Sequence, residues 1–134
     1  MRVFLDTNVL VAAFATRGLC ADVLREVLTR HELVMGEVVL TELERALTRR
    51  LRLPATSVKE ILGFVREHEV VARPPKPASL PVRDPADRWI LASAMAARAD
   101  VLVTGDRDLL DVAAQAPLRI LAPRAFWELA RKRR

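Results

Sequence analysis

Short runs of consecutive apolar, often β-branched residues alternate along the chain with longer segments whose apolar positions recur every three or four residues. The runs at 3–5, 32–35, 69–72, 101–104 and 118–121 read as strands. Between them, 8–14 and 19–28 read as helices, the second with Leu24 and Leu28 on one face. A third helix carries Val39, Leu43, Ala46 and Leu47 at i, i+4, i+7 and i+8, and Pro54 stops that region. Residues 57–68 predict a fourth, with Ser57 as N-cap and Glu60 three positions on, the spacing of a capping box. Asp84 caps a fifth that reaches about Arg98, 107–114 form a short one, and Pro123 opens the last.

Strands alternating with helices imply parallel pairing with helices on both faces of the sheet. The strands are apolar throughout, as they must be when neither face meets water. The expected fold is a three-layer α/β/α sandwich around a central, mainly parallel five-stranded sheet. The stretch 73–83, RPPKPASLPVR, holds four of the eight prolines and reads as an extended connection, too short to divide domains. With 134 residues and no internal repeat, 1–130 are expected to form a single domain, followed by a basic tail at 131–134.

Composition narrows the class. Half the residues, 51%, are hydrophobic, and 29% are charged, as in ordinary globular proteins. No apolar run approaches the ~20 residues of a membrane span. The first residues do not read as a signal peptide, because Asp6 interrupts the apolar run at once. A cytoplasmic location without membrane attachment is the expectation. Cys20 is the single cysteine, so no intrachain disulfide and no cysteine-rich metal site can form. His31 and His68 lack ligand spacing and read as helix-end residues. The net charge is +5, but the run Arg131–Arg134 carries four of those charges, so the preference for polyanions rests on the tail and on local patches.

The acidic residues change the picture more. Asp6 follows the first strand, Thr104, Asp106 and Asp108 follow the fourth, Asp84 and Asp87 open the fifth helix, and Glu42 and Glu44 lie early in the third. In parallel α/β sheets, sites form at the carboxyl ends of the strands, where these segments converge. Taken singly, each acid has a structural explanation: Asp6 and Asp84 as helix caps, Asp87, Asp106 and Asp108 as acids at helix starts, Glu42 as helix surface. Helical geometry does not separate Glu42 from Glu44. Taken together, packed carboxylates repel one another and raise each other's pKa unless a cation neutralises them. A set rich in carboxylates and free of histidine and cysteine suits Mg²⁺ or Mn²⁺, and so suits metal-assisted phosphodiester hydrolysis.

In order and spacing, FLDTN, TELERAL, DPADRWILASA and VLVTGDRDLL resemble the PIN domain family, nearest to the small prokaryotic toxins of toxin–antitoxin pairs (VapC-like). The likeness runs from residue 2 to about 126. It implies a Mg²⁺- or Mn²⁺-dependent endoribonuclease inhibited by a cognate antitoxin, and commonly a homodimer. Matched position by position, it implies Asp6, Glu42, Asp87 and Asp106 as the catalytic acids, with Asp6, Asp87 and Asp106 as metal ligands; the choice of Glu42 over Glu44 rests on this likeness. Asn8, Thr104, Asp108 and Asp84 match supporting positions, though Asp84's capping role explains it equally well. The implied reaction is in-line attack of an activated water, leaving a 3′-hydroxyl and a 5′-phosphate. Cations must meet the phosphates at the rim, and Arg88, Arg107, Arg131 and Arg133 are the candidates.

Three other classes compete. A phosphohydrolase of the haloacid-dehalogenase type also places Asp after its first strand, but wants a second acid two residues on, where this chain has Asn8. A PIN module that binds RNA or a partner without cleaving would not need the full acid set. A DNA-directed nuclease shares the same acids, and the choice of RNA rests on the resemblance.

Overall fold

The computed structural model describes residues 1–132. Val3, Phe4 and Leu5 are fully buried, as a strand covered on both faces requires. They belong to β1 (Arg2–Leu5), which lies at the centre of an all-parallel sheet with β2 (Glu32–Gly36), β3 (Glu69–Val71), β4 (Val101–Val103) and β5 (Arg119–Leu121). The strand order is β3-β2-β1-β4-β5. Helices α1 (Thr7–Ala15) and α2 (Leu19–Arg30) link β1 to β2, while α3 (Glu37–Arg45) and α4 (Ala55–Val65) link β2 to β3. The chain then crosses back through α5 (Pro85–Ala96) to β4, and α6 (Arg107–Leu110) and α7 (Pro123–Lys132) complete it. Helices cover both faces, giving the expected three-layer α/β/α arrangement. No single helix among the described residues is long and apolar enough to cross a membrane.

This order makes β1 and β4 the pair from which the chain departs in opposite directions. A crevice opens at such a point, outside the carboxyl ends of the strands. The ladder runs into it: Leu5 is in register with Val103, the Asp6 N–H donates to the Val103 carbonyl at 3.0 Å, and the Thr104 N–H donates to the Leu121 carbonyl at 3.0 Å. Gly36 ends β2 where α5 crosses closely; a Cβ there would lie 3.0 Å from Ser93 Cβ. The helix that carries Asp87 is thus seated directly on the sheet.

The segment 73–83 is an extended strap, as its prolines predict. It is tied to α5 by the Ala78 N–H donating to the Arg88 carbonyl (3.0 Å) and by Arg88 Nε donating to the Val82 carbonyl (2.9 Å). Elsewhere the local pattern misled. The fourth helix begins at Ala55 directly after Pro54, whose extended ψ of 146° makes it the N-cap, and no side chain caps it. The Ser57–Glu60 capping box does not form, because both residues already lie inside the helix. The segment 107–114 breaks after Leu110 into a separate 3₁₀ turn at Ala113–Gln115. After α3 the chain continues as a wide π turn over Ala46–Arg50, the Leu51 N–H reaching the Ala46 carbonyl at 3.0 Å. Trp89 and Trp127 are both half-buried.

Candidate functional site

Asp6 leaves β1 in extended conformation and caps α1, its Oδ1 accepting from the Thr7 N–H at 2.7 Å. Its Oδ2 accepts from the hydroxyl of Thr104, which is fully buried just past β4. The same hydroxyl accepts from the Asp106 N–H at 3.0 Å. Asp106 caps α6 by accepting from the Asp108 N–H at 2.9 Å. Thr7 reaches the other way, its hydroxyl donating to Glu42 Oε2 at 2.6 Å. The ends of β1 and β4 and the middle of α3 are therefore laced together by two threonine hydroxyls.

Asp87 enters from α5, whose start is set by the Asp84 cap (Ala86 N–H to Asp84 Oδ1, 3.0 Å) and by Pro85 in the first turn. Capping and cluster membership are not alternatives for these acids; the cap conformation is what aims them. Asp87 is buried, and its Oδ2 has no hydrogen-bond partner among the described residues. Burial, the adjacent Asp106 carboxyl and the charges of Asp106, Asp6 and Asp84 push Asp87 up to about 8. Burial likewise holds Asp6 above the usual carboxylate range, against the hydrogen bonds from Thr104 and Thr7 and with the charges of Glu42 and Asp106 adding to the rise.

These acids face one cavity of about 500 Å³, lined by Asp6, Glu42, Asp84, Asp87 and Asp106 together with Thr7 and Asn8. Glu44 does not line it and is exposed on the outer side of α3, so the fold separates the two glutamates that spacing left equivalent. One carboxylate oxygen each from Asp84, Asp87 and Asp108 lie within 4.8 Å of one another. Asp87 thus belongs both to this group and to the cavity that Asp6 and Asp106 line. A buried, unpartnered carboxylate oxygen among oxygen donors alone is the environment a hard divalent cation fits.

The arginines that line the cavity are ones the sequence reading did not single out. Arg45, Arg49 and Arg50 line the acidic cavity, and Arg50 Nη2 is 3.4 Å from Asn8 Oδ1. Their signal was legible as the i, i+4 spacing of Arg45 and Arg49 in ERALTRR, at the end of the helix that carries Glu42 and in the π turn that continues it. Arg88 is half-buried and holds the proline strap. Arg107 is exposed beside Asp106. Arg131 belongs to α7, which starts at the carboxyl end of β5 and runs back along the sheet; its Phe126 already packs on His31, which precedes β2. Arg131 is exposed and does not line the acidic cavity. Arg133 lies outside the described residues.

A sequence model of the PIN domain matches residues 2–108. The chain belongs to the PIN domain family. No curated protein matches it in sequence. Solved structures similar to this PIN domain include VapBC2 from Rickettsia felis bound to a DNA fragment from its promoter, at 20% identity and a TM-score of 0.63, covering 90% of this chain and 97% of that one. VapBC-1 from nontypeable Haemophilus influenzae is similar at 19% identity and a TM-score of 0.64, covering 92% and 99%. At these identities the likeness establishes the fold. The family match spans every acid of the cavity, from Asp6 to Asp106, and Asp108 beside them.

Proposed function

We propose that this PIN domain is a Mg²⁺- or Mn²⁺-dependent endoribonuclease acting in the cytoplasm as the toxin of a toxin–antitoxin pair. The observation that carries the reading is Asp87 Oδ2, buried without a partner inside a carboxylate cluster whose open side is lined by arginines. Asp6, Asp87 and Asp106 would hold the cation, with Asp84 and Asp108 beside them. A divalent cation in such a site supplies charge neutralisation and an activated water for phosphodiester hydrolysis. The chain's own residues do the rest. Thr104 fixes the orientation of Asp6, and Thr7 fixes Glu42 through Oε2, leaving Glu42 Oε1 to accept a proton from water. Arg45, Arg49 and Arg50 receive the phosphates that an acidic cavity alone would repel.

RNA as substrate and an antitoxin as partner are supported by the resemblance to the small prokaryotic PIN toxins and by the likeness to two VapBC structures. Homodimerisation belongs to the same reading. The test is incubation of the purified chain with a tRNA, rRNA and mRNA panel in Mg²⁺, Mn²⁺ or EDTA. Cleavage is expected with metal, and is lost in EDTA and in a folded Asp87→Asn protein. Undiminished cleavage by Asp87→Asn, or cleavage confined to DNA, overturns it. Co-expression with the product of the neighbouring reading frame tests the partner, a stable complex without nuclease activity being the expected result.

A further inference from the structure

A second cavity, of about 250 Å³, adjoins the acidic one and shares Glu42 and Ala86 with it. Its far wall is Arg73 stacked on Trp89, the guanidinium carbon 4.1 Å from the ring centroid. Arg73 is exposed and makes no ion pair among the described residues. Glu37, the other acid of this cavity, is already bound at both oxygens by Arg66, at 2.8 and 3.1 Å. Pro74 and Pro75 follow Arg73, so its backbone is held extended and the guanidinium is displayed from a stiff segment. The fold function described above uses neither residue.

The geometry points to the Arg73–Trp89 stack as a platform for a nucleobase of single-stranded RNA, that of the nucleotide next to the phosphate held in the acidic cavity. A guanidinium plane backed by an indole presents a flat, cationic face, and unpaired bases stack on such faces whatever their identity. The indole beneath fixes the guanidinium plane, and it is the plane rather than the charge that receives the base. The inference rests on the ribonuclease reading for its ligand, but binding can be read without cleavage.

The experiment uses the Asp87→Asn, Trp127→Phe protein in EDTA, in which Trp89 is the single tryptophan. The probes are homo-octaribonucleotides of each base, with inorganic tripolyphosphate as a ligand that has charge and no base. The octaribonucleotides are expected to change Trp89 fluorescence, and tripolyphosphate is not. Arg73→Ala is expected to weaken octaribonucleotide binding roughly tenfold, as loss of one stacked base does, while tripolyphosphate binding stays within about twofold. Arg73→Lys is expected to behave like Arg73→Ala, because the charge survives and the plane does not. Equal weakening of both ligands, rescue by lysine, or no weakening at all overturns the platform. If the wild-type chain cleaves RNA while Arg73→Ala binds normally, the platform fails and the nuclease stands. If binding follows the expected pattern while no RNA is cut, the nuclease fails and the platform stands.

Discussion

Thr104 donates its hydroxyl to Asp6 Oδ2 at 2.7 Å, joining two residues 98 positions apart across the β1–β4 crevice. Because the same oxygen accepts from the Asp106 N–H, one side chain sets the separation of two acids. Thr104→Val keeps the shape and removes the hydroxyl. It leaves Asp6 short of a donor and the Asp106 N–H without its acceptor, at a cost of about 1–3 kcal/mol. Urea unfolding in EDTA measures this, and Thr104→Ser should recover most of the loss. A Thr104→Val protein as stable as the wild type would mean that these two hydrogen bonds carry no energy.

Asp87→Asn should act in opposite directions on stability and on metal binding. Without metal, and at about pH 8, where Asp87 is losing its proton, the substitution removes a buried charge that Asp106, Asp6 and Asp84 repel. A gain of about 1 kcal/mol, or about 4 °C in thermal midpoint, is expected. In saturating Mn²⁺ the order reverses, since the wild type gains stability by binding and the variant does not. Calorimetry with and without metal decides it.

The raised Asp87 pKa fixes the sign of a pH effect. A carboxyl at about 8 in the folded chain, against an ordinary value of 3.8, binds a proton more tightly when folded. Its contribution is therefore fully present below about pH 4 and is lost as pH rises through about 8. Asp6, also raised, acts with the same sign. In EDTA the stability of the wild type relative to Asp87→Asn should fall between about pH 4 and pH 8, and Mn²⁺ at the upper end should restore it. A difference that rises with pH would be falsifying.

Arg49 offers a test of the rim that leaves the acids alone. It is exposed and lines the acidic cavity without an ion pair among the described residues. Arg49→Ala should leave the unfolding midpoint unchanged and weaken RNA binding. The slope of log affinity against log salt should become shallower by about 0.7, one single-strand phosphate contact. Arg131→Ala, at the far end of α7, should change neither affinity nor slope.

Sequence alone determined the layer architecture. Apolar runs such as Val3–Leu5 can be satisfied only by burial on both faces, and periodic helices between them leave a parallel sheet as the solution. It also placed Asp6, Asp87 and Asp106 near one end of that sheet, since each lies just past a strand or at a helix start. Local hydrogen bonding was less legible. The Ser57 pattern predicted a cap, but Pro54 had already started the helix. Tertiary structure decided what depends on distance between segments: that Glu42 and not Glu44 faces the acids, that Asp108 closes on Asp84 and Asp87, and that α3 and the π turn after it bring Arg45 and Arg49 to the cavity. The physical reason is range. Burial and helical period are written within a few residues of chain, whereas the field at Asp87 adds the charges of Asp106 and Asp6, brought from two other segments, to that of Asp84 on its own helix start, and no local pattern encodes that sum.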